Sequence, residues 1–538
     1  MRKFILFILL VLLGFSSFSQ PIILEWQACF GTNLKEVVSD VCPTGDGYII
    51  VADGYTDSPR GIDILAIRTD LSGNVVWEKY FGGNSSDGPV RILPAGNDSY
   101  YISAVSGSID GDISFNPFPD GLSNYWIIKI NGSGDIIWDK MFGGNCYDIG
   151  WDACLTHDGG IASLGYTCSE DGDISNYYGI WDTWLLRIDS LGNKVWDFTI
   201  GTEFLDFPSA IIQTSDKGFL VASGSMPTTG GNITCTPFNY ENSDIVLFKL
   251  DSLANIEWQL CYGGSGNESV KDIIEVEDGY VLACSVYAGD GDMTGSGFHY
   301  GTSPQGDVLP DTWIVKIDFE GNIQWHKCYG GTAAEYVNSI FPTYNRGYIV
   351  VAETYSNNGD VSGKHNVHGT GADIWVFEIN ATGDLIWQKC FGGIGSELLD
   401  WSGVIDNGDG SYVITATLFG NANSGDVSCM TTPIGGYDIW LIQLRDTTVV
   451  SSNHLPKPVL TVNAYPNPAY EYVIFELGKS LPSGTIIISD VTGRQVASIS
   501  VAGEKTVWQT KGRPSGIYLY RFEGTTTVAS GKLLIINE

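Results

Sequence analysis

Short runs of alternating apolar and polar residues recur along almost the whole chain, separated by Gly, Asn and Asp. After residue 20 the alternation has the spacing of strands with one face buried, and no convincing amphipathic helix is found. One unit returns seven times: an apolar run around a Trp, then an aromatic or apolar residue, then Gly-Gly or Gly-Thr. The copies centre on Trp26 (LEWQACFGT), Trp77 (NVVWEKYFGG), Trp138 (DIIWDKMFGG), Trp196 (NKVWDFTIGT), Trp258 (NIEWQLCYGG), Trp325 (NIQWHKCYGG) and Trp387 (DLIWQKCFGG). They lie 51 to 67 residues apart. An all-β repeat of that length predicts the blades of a β-propeller.

Each unit supplies four strand-like runs. In the sixth these are the Trp325 run, a run through 337–341, a run over 348–352 after the turn at 345–347, and a run over 373–379 rich in β-branched and aromatic residues. The fourth run enters the next Trp run through a turn such as Asp318-Phe319-Glu320-Gly321-Asn322, whose Gly and Asn suit a tight hairpin. The fourth strand of one unit should therefore pair with the Trp strand of the next. That leaves the first Trp strand and the last fourth strand, 438–444, to pair with each other and close a seven-bladed ring without exposed edges. The repeat Trp residues are expected in the core between blades.

The best copy, residues 311–331 (DTWIVKIDFEGNIQWHKCYGG), resembles bacterial secreted β-propeller repeats, in which a D-x-W-[IV]-x-K-[ILV]-D strand, a G-N turn and a W-x-x-x-x-G-G segment recur. The resemblance covers 22–446. It departs at Leu65 and Val246, which stand where other units carry the fourth-strand Trp. It implies architecture; a propeller frame hosts many functions.

A polar motif follows the third run of most units. It reads Asp110-Gly111-Asp112, Asp171-Gly172-Asp173 and Asp290-Gly291-Asp292, with Asn358-Gly359-Asp360, Ser424-Gly425-Asp426 and the weaker Gly230-Gly231-Asn232 as variants. Two readings stay open. The motif forms a side-chain-capped turn, or its carboxylates bind calcium, a hard cation that takes about six to eight oxygen ligands. In the second reading the metal candidates are Asp110, Asp112, Asp171, Asp173, Asp290 and Asp292. Loops of variable length come next and should cluster on one face of the disc. They carry Phe115, Phe118, Phe238, Tyr240, Phe298, His299 and Tyr300, which suit stacking on sugar rings or anchoring a protein.

No nucleophile elbow, zinc-protease helix or phosphate loop occurs in the sequence. The Asp residues available for glycoside hydrolysis stand mostly at repeat positions, such as Asp182, Asp311, Asp373 and Asp438. No catalytic residue is assigned.

The repeat ends near Asp446. A polar linker over 447–460 leads into a terminal segment, 461–538, whose alternating runs describe a small Ig-like β-sandwich. Four motifs follow in order: Tyr465-Pro466-Asn467-Pro468, the turn from Asp490 through Gly493 to Val496, the strand start Gly516-Ile517-Tyr518, and Gly531-Lys532-Leu533. This string resembles the type A C-terminal sorting domain of the type IX secretion system. The resemblance implies export by that machinery, followed by release or attachment to the outer-membrane surface. At the other end, basic Arg2 and Lys3, an apolar run over 4–15 and small residues up to Ser19 read as a signal peptide of residues 1–19, cut between Ser19 and Gln20. The apolar run falls short of the ~20 residues a spanning helix needs, and no second one exists, so no integral membrane segment is expected.

Charge narrows the partners. The chain carries −34 overall. Residues 456–538 hold eight basic and six acidic groups and the signal peptide two basic ones, which leaves −38 on the body, 20–455. Such a surface repels phosphate backbones and anionic lipid, which excludes nucleic acid, and favours cations, basic proteins or neutral glycans. The 11 cysteines leave several pairings open: Cys29 with Cys42, Cys261 with Cys284, and a pair among Cys146, Cys154 and Cys168. Recurrence of Cys29, Cys261, Cys328 and Cys390 three residues after the repeat Trp favours a small buried side chain over a bridge.

The sequence thus predicts a secreted, monomeric, all-β protein, a seven-bladed propeller followed by a sorting domain. Its role is non-catalytic binding of a glycan or protein, or surface adhesion, with a secreted endo-glycosidase-like enzyme as the alternative. Calcium is the candidate cofactor.

Overall fold

The computed structural model describes residues 21–447 except 33, 56–60, 119–121, 227–229, 239–241, 344–345, 367–370, 400–402, 421–422 and 430–435. Toward the C-terminus it describes 463–536 except 466, 468, 477–483, 491–493, 502–504 and 525–527. Ser19 and Gln20 fall outside the described residues, as do Tyr240, Pro466, Pro468, Gly493 and most of the predicted linker. The chain divides into two compact units, Met1–Thr448 and Val449–Glu538. Among the described residues no helix is long and apolar enough to cross a membrane.

The first unit holds six four-stranded antiparallel sheets and one closing sheet, which together make a multi-bladed β-propeller. The six begin with the strands Glu36–Pro43, Asp87–Gly96, Asp148–Leu155, Asp206–Gln213, Glu268–Val276 and Glu335–Pro342. These first strands pack against one another and surround the central channel. Each sheet then runs outward in chain order and ends on a Trp strand, such as Val75–Phe81 or Ile323–Tyr329.

The closing sheet forms as the unpaired ends require. Ile22–Phe30 pairs antiparallel with Tyr437–Asp446, in register from Ile22 opposite Asp446 to Phe30 opposite Ile439. Ser411–Phe419 lies next, and the inner edge is split into Ser396–Leu398 and Val404–Asp406. Ring closure thus rests on a backbone ladder between residues some 400 positions apart.

Burial corrects the reading of the repeat Trp residues. The fully buried indoles are Trp126, Trp184, Trp313, Trp375 and Trp440, on the strands next to the outermost. Each donates its N–H inside its own sheet, as Trp126 does to Asp139 (3.0 Å) and Trp375 to Gln388 (2.9 Å). The repeat Trp residues, on the outermost strands, are half-buried; Trp387 donates to Glu378 of its own sheet, while others reach to the hairpin turn of the next sheet. Trp77 donates to the Gly132 carbonyl (2.9 Å), Trp196 to that of Ser252 (3.2 Å) and Trp258 to that of Phe319 (3.1 Å). An edge strand has only one sheet face to cover it, so its large side chain clamps a neighbour.

The cysteines also depart from expectation. The bridges are Cys29–Cys429, Cys146–Cys168 and Cys235–Cys261. Only Cys146–Cys168 was among the pairings considered; Cys42 and Cys284 are free and buried in strands. At the position after the repeat Trp, Cys328 and Cys390 are small buried thiols, whereas Cys29 and Cys261 bridge to the loop after the polar motif.

The second unit has a three-stranded sheet (Asn463–Tyr465, Tyr472–Glu476, Lys505–Gln509) and a four-stranded one in the order Gln495–Val501, Gly484–Asp490, Gly516–Gly524, Val528–Ile535. Val473, Phe475, Ile486, Ile488, Trp508, Tyr518, Leu533 and Ile535 form its core.

Candidate functional site

In every sheet the second strand ends beside the start of the first: Asp206 lies opposite Ser225, Glu268 opposite Val286 and Glu335 opposite Thr354. The polar motifs and variable loops, which follow the second strands, therefore stand at the end of the ring where the inner strands begin.

The polar motif clasps one sheet to the next. Asp112 donates its N–H to the Gly82 carbonyl (3.0 Å) and accepts from the Gly82 N–H (3.1 Å). Asp173 does the same with Gly143 and Asp292 with Gly263; Asn232, Asp360 and Asp426 repeat the clasp on Gly201, Gly330 and Gly392. The glycine between has no substitute. Gly291 sits at φ 57°, and a Cβ there would lie 2.2 Å from the Gly263 oxygen. The outer carboxylates are also engaged. Asp171 accepts from the Asn145 backbone (2.9 Å), Asp290 from that of Ser265 (2.7 Å), and Asp110 lies against Gly83. Among the described residues no group of three His, Cys, Asp or Glu is arranged to hold a metal ion.

Behind each clasp two further polar side chains meet. Glu36, Asp87, Asp148, Asp206, Glu268, Glu335 and Glu397 open the inner strands, and Asp63, Asn124, Asp182, Asp244, Asp311, Asp373 and Asp438 stand at the start of the third strands; all are buried. The glycine of the preceding Gly-Gly separates them: an oxygen of Glu335 and one of Asp311 both lie within 2.8 Å of where a Gly330 Cβ would be. Burial, with a second carboxylate beside it, lifts Asp182 to about 7 and Glu335 to about 7, and Glu268 and Glu397 to about 8.

Two of these seams carry a His. His299 has Nδ1 3.1 Å from buried Asp311 and Nε2 3.7 Å from Asp360; His365 has Nδ1 2.7 Å from Asp373 and Nε2 3.4 Å from Asp426. Hydrogen bonding to the first Asp raises both imidazoles above their ordinary value. His299 is thus a seam residue rather than an open binding group. Phe118 and Phe298 pack against the core. Of the loop aromatics, Phe115, Phe238 and Tyr300 are exposed.

The channel mouth at this end holds a cavity of about 520 Å³. Trp151, Tyr166 and Phe207 line one part, Tyr287 and Tyr336 another, with Ser209, Ser269 and Asn338 between. Tyr166 is the hub of edge-on contacts with Trp151 (5.7 Å between ring centres), Trp181 (5.9 Å) and Phe207 (6.3 Å). These residues break the repeat. Where the third sheet has Trp151, the other inner strands carry Ser39, Val90, Ser209, Lys271 and Asn338; where it has Tyr166, the others have Asp53, Val105, Gly224, Ser285 and Glu353. The loops drew attention in the sequence because they are long. The mouth emerges only when inner strands are aligned and the departures read off.

Farther along the channel Arg91 bonds Asp152 through Nε (2.8 Å) and lies 3.6 Å from Asp40. Asp40, Asp152 and Asp272 share one repeat position, the fifth residue of alternate inner strands. Each accepts the backbone N–H of the following sheet's inner strand, from Ile92, Ile211 and Ile340 at 2.9 Å.

In the second unit Asn467 joins the first motif to the last strand, donating to the Lys532 carbonyl (2.9 Å) and accepting from the Leu534 N–H (2.8 Å). Asp490 holds its turn through Arg494 (3.0 Å), and the Tyr518 hydroxyl donates to the Pro514 carbonyl (3.0 Å). Gly516 opens one strand, and Gly531 lies within the strand Val528–Ile535.

Residues 463–537 match the family described as the secretion system C-terminal sorting domain. Among curated proteins none matches the chain. Similar solved structures include the Neurospora crassa Pan2 WD40 domain (TM-score 0.41, 9% identity, 78% of this chain and 90% of that one) and Synechocystis apocarotenoid oxygenase (0.38, 12%, 66% and 71%). A neuraminidase-like protein of A/flat-faced bat/Peru is also similar (0.35, 8%, 79% and 94%). At that distance nothing about activity passes from those proteins to this one.

Proposed function

We propose that this chain, which carries a secretion-system sorting domain and is bound for an extracellular or surface-exposed location, is a non-catalytic binding protein whose ligand, a glycan, is taken at the mouth of the propeller channel. Under this reading residues 1–19 are a signal peptide and 20–446 a propeller of seven blades. Residues 447–460 are a linker, and 461–538 form an Ig-like sandwich read by the type IX machinery.

The observation that carries the reading is the aromatic cavity lined by residues that depart from the other sheets at aligned positions. Residues that recur in every sheet serve the frame, while Trp151, Tyr166 and Tyr336 occupy positions that the frame leaves free to vary. A concave site with aromatic walls and a few hydroxyl and amide groups is the usual form of a small-ligand site. Phe115, Phe238 and Tyr300 are exposed on loops at the same end of the ring and are further candidates for contact. Asp40, Asp152 and Asp272 recur by position and accept backbone N–H groups, and Glu353, matched at its position only by Asp53, accepts that of Leu399; this favours binding over glycoside hydrolysis, which calls for a unique pair flanking the scissile bond.

The test is a glycan-array scan of the secreted protein, with calcium and with chelator, beside the Trp151→Ala variant. Binding that survives chelation and falls at least tenfold in the variant supports the reading. Binding abolished by chelation would move the site to the Asp110, Asp171 and Asp290 loops. Release of new reducing ends from a bound glycan would establish an enzyme instead.

A further inference from the structure

The cavity narrows in a way that restricts how a glycan enters. Three of its aromatic groups stand on inner strands, Phe207 and Tyr336 at the second residue and Trp151 at the fourth, so these three line the channel wall below the rim, while Tyr166 lies on a second strand and Tyr287 just after one. One residue farther along the strands, the 520 Å³ cavity gives way to a void of about 30 Å³. Trp151, Ser209, Lys271 and Asn338 line both, and Arg91, fixed on Asp152, lies in the smaller one. Among the described residues the channel thus narrows as a funnel toward Arg91.

We propose that the funnel takes the end of a neutral glycan chain, inserted along the channel axis, rather than an internal stretch laid across the ring; the inference rests on the glycan-binding reading above. Three features set the chemistry. Aromatic walls in two parts of one cavity, from the third and fourth sheets and from the fifth and sixth, suit the apolar C–H faces of sugar rings entering between them. Hydroxyls of Ser209 and Ser269 and the amide of Asn338 can bond sugar hydroxyls. The acidic body of the chain disfavours sulfated or uronic chains by like-charge repulsion during approach, while in the cavity wall itself Lys271 stands with the carboxyls of Glu268 and Glu353. A chain lying flat over the rim would not reach Trp151. A chain entering from the mouth meets Arg91 and stops, so recognition extends over only a few sugars from the terminus.

The experiment follows the intrinsic fluorescence of the full secreted chain during titration with neutral oligosaccharide series of gluco-, xylo-, manno- and N-acetylglucosamine type, one to six units long, and with the parent polymers. In the series that binds, affinity should rise over the first two or three units and then stay level. At equal sugar mass the polymer should compete more weakly than its short oligomers, because potency follows the number of chain ends. The substitution Ser209→Trp, which fills the lower cavity, should reduce binding at least tenfold with the unfolding temperature within a few degrees of the parent. Affinity that keeps climbing to six units, or a polymer that competes equally by mass, overturns end-on entry while leaving glycan binding intact. Failure of every neutral series overturns both.

Discussion

A single glycine at each clasp does two jobs, and the two can be separated. Gly291 has positive φ, and the Gly263 oxygen occupies the space a side chain would need. Gly295, four residues on, has φ 85° with nothing within 4 Å of a Cβ. Alanine at 295 carries only the left-handed backbone penalty, about 1–2 kcal/mol. Alanine at 291 must also push two sheets apart, so a loss of about 3 kcal/mol or more is expected. Urea unfolding of the two variants checks this. Equal losses would mean that the clasp has room to shift and that the close approach to Gly263 adds nothing. The same contrast explains why the motif reads as Asp-Gly-Asp: the second Asp supplies a donor to the C=O and an acceptor to the N–H of one glycine, and the Gly of the motif lets that residue come near.

At the level of strands and sheets the sequence was widely legible, because the features that build a ring repeat. The Trp strand, the Gly-Asn turn and the Gly-Gly segment each recur at one register, so the pairing of Ile22–Phe30 with Tyr437–Asp446 followed from which strands lacked partners. What repetition hides was not legible. Trp151, Tyr166 and Tyr336 matter through their difference from the aligned residues, and that alignment needs the inner strands placed first. The cysteine pairing was hidden for a related reason. Cys29 and Cys390 share a repeat position, and only the loop that arrives opposite decides between a thiol and a bridge. The Cys29–Cys429 bridge spans a sequence separation of 400 and Cys146–Cys168 one of 22. By loop-closure entropy the first constrains the unfolded chain more, about 6 kcal/mol against about 3, although native strain often lowers such gains. Replacing Cys29 and Cys429 together by Ser should therefore lower the unfolding temperature more than replacing Cys146 and Cys168. An equal or smaller drop would show that the strand ladder alone secures closure.

Across the whole molecule the buried acids give stability a definite pH dependence. Burial lifts Asp87, Asp206 and Asp311, and lifts six further seam carboxyls farther, Asp148 and Asp244 to about 6, Asp182 and Glu335 to about 7, Glu268 and Glu397 to about 8, from ordinary values near 4. A carboxyl whose folded pKa is raised binds its proton more tightly in the folded chain. Its contribution is complete below the unfolded pKa and disappears as pH rises toward the folded one. Each unit of difference corresponds to ~1.4 kcal/mol, so six groups together are worth several kcal/mol even after discounting for partial exposure. His299, between Asp311 and Asp360 with Glu335 near, and His365, between Asp373 and Asp426 with Glu397 near, act in the same direction. Their raised pKa values mean that the stabilising charge is present below about 6.5 and lost as pH rises through the folded value. The unfolding temperature should therefore be several degrees higher at pH 5.5 than at pH 8.5, and Glu268→Gln or Glu397→Gln should flatten the slope. A cation held between the seam carboxylates would reverse the sign, because metal binding needs them ionised. Stability that rises toward pH 8.5 and falls on addition of chelator would thus put calcium between the seam carboxylates in place of their protons.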